Sequence, residues 1–226
     1  MKVKAFILLS LMATQAGAIS STEPWLFGTL PYETTPFKEA NLSYALDLDS
    51  PEGGPQALGM QALQTQAGLW EGLGLTLEGG LDTERMKGSL ERALLQLRWP
   101  RADYLFLDVG LMAGWTREPF MRETASGFTG VIFSKEALDQ AFCVNGLYDQ
   151  NLNWALRAAF RSSFLFTGVR MGLEGEWTKD DFLYSPQASC DLPADIVLTA
   201  GARLDPDRPG AWQARLRLSA QIFGGW

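Results

Sequence analysis

The chain of 226 residues contains no histidine. That absence excludes Ser–His triads, His-based general acid/base pairs and His-rich metal sites. Cysteine is scarce, with two residues, Cys143 and Cys190. Neither C-x-x-C nor a zinc-type spacing occurs, so no catalytic residue, no metal ligand set and no cofactor is expected. Positive charge is in the minority, with 19 Lys and Arg against 26 Asp and Glu and a formal net charge of −7. A nucleic-acid partner would require a basic stripe and is excluded. Long apolar runs are missing beyond the first twenty residues. The longest candidate, Tyr104 to Trp115, is interrupted by Asp108 and falls short of the ~20 residues of a spanning helix. A chain of this kind crosses a membrane only as a barrel of strands.

The N-terminus has the three parts of a secretory signal. Lys2 and Lys4 precede an apolar core, Ala5 to Thr14, and Ala16-Gly17-Ala18 offers a small-residue cleavage site. Cleavage is expected after Ala18. Ile19, not Cys, follows, so no lipid is expected there. This divides the chain into a signal (1–18), an extended segment (19–38) and a barrel domain (39–226). The extended segment carries Pro24, Pro31 and Pro36, and its Trp25, Phe27 and Tyr32 are placed to tuck against the barrel or into its mouth. Export to an oxidising compartment makes a Cys143–Cys190 disulfide the default, with two separate buried thiols as the alternative.

What is abundant is alternation. From Trp212 to Trp226 every even residue is apolar or Gly, while the odd positions include Gln213, Arg215, Arg217, Ser219 and Gln221. A period of two gives a strand with one apolar and one polar face. The same pattern marks Glu39–Asp49, Gly72–Asp82, Ser89–Trp99, Asp103–Trp115, Asn151–Arg161, Phe164–Trp177 and Ala194–Leu204. Gln56–Gln66 slips after Ala62, with a short helix as the alternative, and Gly127–Phe133 is a short sixth strand. Ser134–Gln150 and Thr178–Pro193 read as long inserts, with SKEALDQAF as a helical turn. All eleven prolines then lie outside strand interiors, and Trp99, Trp115, Trp154, Trp177, Trp212 and Trp226 sit at strand ends. The fold class is all-β, a single antiparallel up-and-down transmembrane barrel of about ten strands, with eight and twelve as alternatives.

The polar face is unevenly charged. Asp47, Glu78, Asp82 and Asp108 come early, with Arg92 and Arg98. Arg157, Arg161, Arg170, Arg203, Arg215 and Arg217 come late, with Glu174. Closure brings the last strand beside the first, so the two sets are expected to meet at the seam. The reading is a non-enzymatic barrel with a lumen packed by ion pairs and a structural or surface-binding role. The alternative is a narrow channel for small anionic or other small solutes, since arginine rings select anions. A soluble lipocalin-like binding barrel is the second alternative, because such barrels also alternate.

The signal sequence, the even strand count and the terminal aromatic residue with apolar alternate positions resemble Gram-negative outer-membrane β-barrel proteins. Leu218, Ala220, Ile222 and Trp226 match that pattern, although Trp replaces the commoner Phe and Gly224 fits weakly. The resemblance implies residence in the outer membrane, lipid as a partner, and recognition of the C-terminal strand by the barrel-assembly machinery. The stretch QALQTQAGLWEGLGLTLEGG also resembles transporter-like outer-membrane proteins of aromatic-degradation operons. No particular solute or surface partner follows from either likeness.

Overall fold

The computed structural model describes residues 26–27, 29, 34–50, 57–82, 87–98, 108–117, 126–137, 140–151, 153–163, 168–194 and 196–223. The expected signal segment, Trp25, Tyr32, Trp99 and Trp226 lie outside the described residues. Among those described, the chain forms twelve strands. The first four are β1 (Ala40–Ser50), β2 (Ala57–Trp70), β3 (Leu73–Asp82) and β4 (Lys87–Arg98). Then come β5 (Asp108–Thr116), β6 (Ser126–Ala137), β7 (Gln140–Asp149) and β8 (Trp154–Ser163). The last are β9 (Val169–Thr178), β10 (Phe182–Leu192), β11 (Ile196–Leu204) and β12 (Trp212–Phe223). Each strand pairs with its sequence neighbours, and β1 pairs antiparallel with β12, so the barrel is closed.

Alternation becomes an inside and an outside. In β12, Leu216, Leu218 and Ile222 point outward and are exposed, while Arg215, Arg217 and Ser219 point inward and are buried. The same division runs round the wall: Leu63, Leu95, Trp115, Phe142, Trp154, Leu173 and Trp177 are all on the outer face. This polarity is the reverse of a water-soluble binding barrel, whose apolar face is inside. Strands of 9 to 14 residues also match the ~9–11 residues that a tilted strand needs to cross a bilayer.

The strand count corrects the expected ten to twelve, because both inserts are strands. β7 lies in Ser134–Gln150 and was hidden because neither of its faces is uniformly polar. Phe142, Val144 and Tyr148 point outward, and Cys143 and Leu147 point inward beside Asn145. The SKEALDQAF stretch is the hairpin of β6 and β7, with Ala137 opposite Gln140, and not a helical turn. β10 lies in Thr178–Pro193 and carries Pro186 in its interior, against the expected exclusion of proline from strands. The sheet tolerates it locally. Pro186 is registered with Leu173 of β9, whereas Ser185 and Pro186 drop out of the ladder to β11 between Tyr184 and Gln187. A missing N–H costs least where the ladder is already interrupted. β2 is one continuous strand to Trp70, so no helix follows Ala62.

Candidate functional site

The lumen is the candidate site, and its charges meet as the order of the strands dictates. Asp47 of β1 stands in register with Arg215 of β12. Their contact is two-pronged, Arg215 Nε and Nη2 each donating to an Asp47 oxygen at 2.7 Å, and both groups are buried. Two parallel charge-assisted bonds are the strongest form of this pairing, and here they clasp the closing seam. Ser43 Oγ donates to Ser219 Oγ at 2.9 Å four residues further along the same face. Elsewhere on the wall Arg157 Nε meets Glu176 at 2.6 Å, Arg170 pairs with Asp191, and Arg92 stands 3.8 Å from Glu78.

The other predicted lumen residues, Asp82 aside, fall on the same face. Arg203 and Arg217 are buried. Arg98, Asp108 and Arg161 are half-buried at inward positions toward the rim where β1 begins. Asp82 ends β3 opposite Met60. Glu174 and Glu176, two carboxylates on one face, are buried and engaged rather than merely solvated. Glu91 was not anticipated, because strict alternation from Arg92 points it outward. A bulge at Glu91 of β4, between Leu90 and Arg92, leaves Glu91 and Arg92 both buried, and Glu91 then takes Arg117 Nη1 at 2.8 Å.

The described residues Leu26, Phe27 and Thr29 of the N-terminal segment lie inside the barrel. Leu26, Phe27 and Thr29 are almost wholly buried, at 2%, 1% and 0% exposure. Glu174 of β9 accepts from Phe27 N at 3.0 Å, Thr29 N at 2.7 Å and Thr29 Oγ1 at 2.6 Å. Gln187 of β10 accepts from Leu26 N at 3.1 Å. Arg215 donates to the Leu26 carbonyl at 3.2 Å and Arg203 of β11 to the Phe27 carbonyl at 3.3 Å. The same two guanidinium groups lie 5.2 and 4.7 Å from the centre of the Phe27 ring, within cation–π range.

Two glycines make the passage. A Cβ on Gly68 would stand 2.0 Å from the Pro36 carbonyl oxygen, and one on Gly201 would stand 2.7 Å from Leu26 Cδ2. Both positions face inward, and only hydrogen fits there. Phe37 pairs with Gly68 as a parallel bridge before the chain enters β1. The space left between Leu26 and the wall at Ser43, Gln64, Glu78, Arg92 and Arg217 is about 20 Å³, room for about one water.

The opposite wall is apolar. Leu94, Met112, Phe128, Ile132, Cys143 and Leu147 of β4 to β7 pack together inside the barrel. This inner cluster was not legible from a rule that assigns polar residues to the lumen. It also decides the cysteines, and the expected disulfide is corrected. Cys143 points inward on β7, where its Sγ accepts from Asn145 Nδ2 at 3.3 Å, while Cys190 is an outward position of β10. The two sulfurs lie on opposite faces of the wall and three strands apart, and both remain thiols. Among the described residues no group of three or more acids or cysteines is gathered to hold a metal ion.

A KdgM porin in complex with disordered oligogalacturonate superposes with a TM-score of 0.60 at 11% sequence identity, over 82% of this chain and 99% of that one. The fold is that of an outer-membrane porin. A second KdgM porin structure superposes at 0.59 and 9% identity, over 80% of this chain and 98% of that one. An outer-membrane channel from Pseudomonas putida aligns at 0.47 and 12%, over 84% of this chain and 98% of that one. No family model matches the chain, and no curated protein matches it by sequence. At these identities the likeness establishes the fold and not the cargo. Together with an outer face of Leu, Phe and Trp round a charged interior, the porin fold places the chain in a bacterial outer membrane.

Proposed function

We propose that the chain is a narrow outer-membrane channel for small solutes, closed by its own N-terminal segment. The observation that carries this reading is the seating of Leu26–Thr29 in the lumen on Glu174, Gln187, Arg203 and Arg215. A segment held by hydrogen bonds to wall side chains separates from that wall without unravelling a ladder of the barrel. Its withdrawal would open a path between an arginine-bearing wall and an apolar one. Arg157, Arg170, Arg203, Arg215 and Arg217 on β8 to β12 support a preference for anions. The KdgM porin complexed with oligogalacturonate, a polyanion, is consistent with that preference. The proposed role is non-enzymatic. Lipid against the outer face, and the assembly machinery at Leu218, Ala220, Ile222 and Trp226, are its proposed partners.

A second reading, a structural barrel with a permanently packed lumen, is favoured by the paired charges and by the pocket beside Leu26, which offers about 20 Å³. Planar-bilayer recording separates the two. The intact chain should show rare openings, and a variant lacking residues 19–30 should conduct steadily with an anion-selective reversal potential. If that variant, shown folded by heat-modifiable gel migration, passes no current at high salt, the channel reading fails and the packed barrel stands.

A further inference from the structure

The contacts around Leu26–Thr29 have the form of a peptide-binding site. Three main-chain N–H groups of the segment, those of Leu26, Phe27 and Thr29, are accepted by Gln187 and Glu174. Two main-chain carbonyls, those of Leu26 and Phe27, are taken by Arg215 and Arg203. Five backbone groups of Leu26, Phe27 and Thr29 are thus matched by four side chains from four consecutive strands, β9 to β12. Side-chain recognition is added at two places. The Phe27 ring lies against two guanidinium groups, and Leu26 fills the space left by the absent side chain of Gly201. Glu174, Gln187, Arg203 and Arg215 are each at least nine-tenths buried. A charged group held this far from water is costly unless something supplies its partners; for Glu174 those partners are the segment's peptide N–H groups and the Thr29 hydroxyl, while Arg215 is also held by Asp47.

None of these contacts requires the segment to be joined to β1. The wall reads an aliphatic residue, an aromatic residue and the backbone between them. We propose that this lumen site binds short peptides carrying an aliphatic–aromatic pair in trans, and that the N-terminal segment is its built-in competitor. The proposal deepens the channel reading by naming a ligand class. It rests on the segment being displaceable, but not on conduction. The tether gives the segment an effective concentration on the order of mM, so a free peptide gains entry only when the segment is weakened or removed.

The test uses the full-length mature chain in detergent micelles and a fluorescent peptide of sequence WLFGTL, which copies residues 25–30. In the double variant Phe27→Ala, Thr29→Ala the segment loses its ring and one hydroxyl while the barrel wall is untouched. Saturable binding by fluorescence anisotropy is expected, at least tenfold tighter than to the intact chain. Adding Glu174→Gln, or replacing the peptide's phenylalanine with alanine, should weaken it at least tenfold again. The variant lacking residues 19–30 should bind tightest, with its fold checked by heat-modifiable migration. Equal anisotropy for the intact chain and all variants, or indifference to the peptide's aromatic ring, would mean micelle partitioning and overturn the proposal. Conduction by the shortened variant without peptide binding sinks the ligand class and leaves the channel. Binding without conduction does the reverse.

Discussion

Glu174→Gln is the substitution that most directly tests how the lumen is closed. The carboxylate accepts three hydrogen bonds, from Phe27 N at 3.0 Å, Thr29 N at 2.7 Å and Thr29 Oγ1 at 2.6 Å. Glutamine keeps one acceptor oxygen and replaces the other with a donor. Turned to suit Thr29, it sets its amide N–H₂ against the Phe27 N–H, donor against donor. One bond is therefore lost and two change from charge-assisted to neutral. With charged bonds contributing ~1.5–3 and neutral ones ~0.5–1.5 kcal/mol, the simple sum is about 3.5–6 kcal/mol. The carboxylate regains water when the segment leaves, which reduces the difference to about 2–3 kcal/mol. At ~1.4 kcal/mol per tenfold, the ratio of open to closed barrels should rise by roughly thirty- to a hundredfold. Single-channel recording reads that ratio as open probability. Glu174→Asp, which retains the charge but shortens the reach, should fall between. An open probability within about threefold of the intact chain, in a folded barrel, would refute the view that Glu174 latches the segment.

Asp47→Ala should weaken the barrel itself, because it leaves Arg215 buried at the β1–β12 seam without its two-pronged partner. Loss of one member of a buried pair costs about 3–5 kcal/mol, to be measured by urea unfolding in micelles. A change under about 1 kcal/mol would show that water or another acid takes over. The two cysteines should titrate as two reduced thiols on denaturation, with no mobility shift on reduction, and a shift would restore the disulfide. Asp205 lies in the turn between β11 and β12. Its burial pushes its pKa up, but the hydrogen bond from Arg208 Nε at 2.6 Å and the N–H groups of Asp207 and Arg208 outweigh that and hold it below the ordinary carboxylate value. A depressed folded pKa gives stability that is complete above the ordinary carboxylate range and is lost as pH falls through the folded value. Asp205→Asn should remove that acid dependence from amide exchange in the turn, and an unchanged profile would contradict it.

Residues with strict alternation were read correctly. Arg215 and Arg217 point inward and Leu216 and Leu218 outward, as the period of two required. The meeting of Asp47 with Arg215 also followed, since closure places the last strand beside the first. The misreadings have particular causes. β7 puts Phe142 and Tyr148 on one face and Cys143 and Leu147 on the other, so no contrast marks it as a strand. β10 alternates well, from Tyr184 and Ala188 outward to Ser185 and Gln187 inward, but Pro186 argued against it. A proline rule cannot know that the ladder is open on one side at that residue. The Glu91 bulge breaks parity for a single position, and parity was the evidence in use.

Chemistry carried by single residues or by a period of two was settled within the sequence itself. The lack of histidine, the segregation of Leu and Trp from Arg and Asp, and hence an amphipathic closed sheet all belong to this class. They are local, and local patterns survive without knowing the partners. The occupant of the lumen was decided by tertiary structure alone. Glu174 reaches Thr29 across 145 residues, and Arg215 reaches Leu26 across 189. No spacing rule connects such positions. Gly68 and Gly201 look like weak points of their strands until Pro36 and Leu26 are placed against them. The barrel is written in alternation, while what fills its lumen depends on which distant groups meet once the wall has curved round.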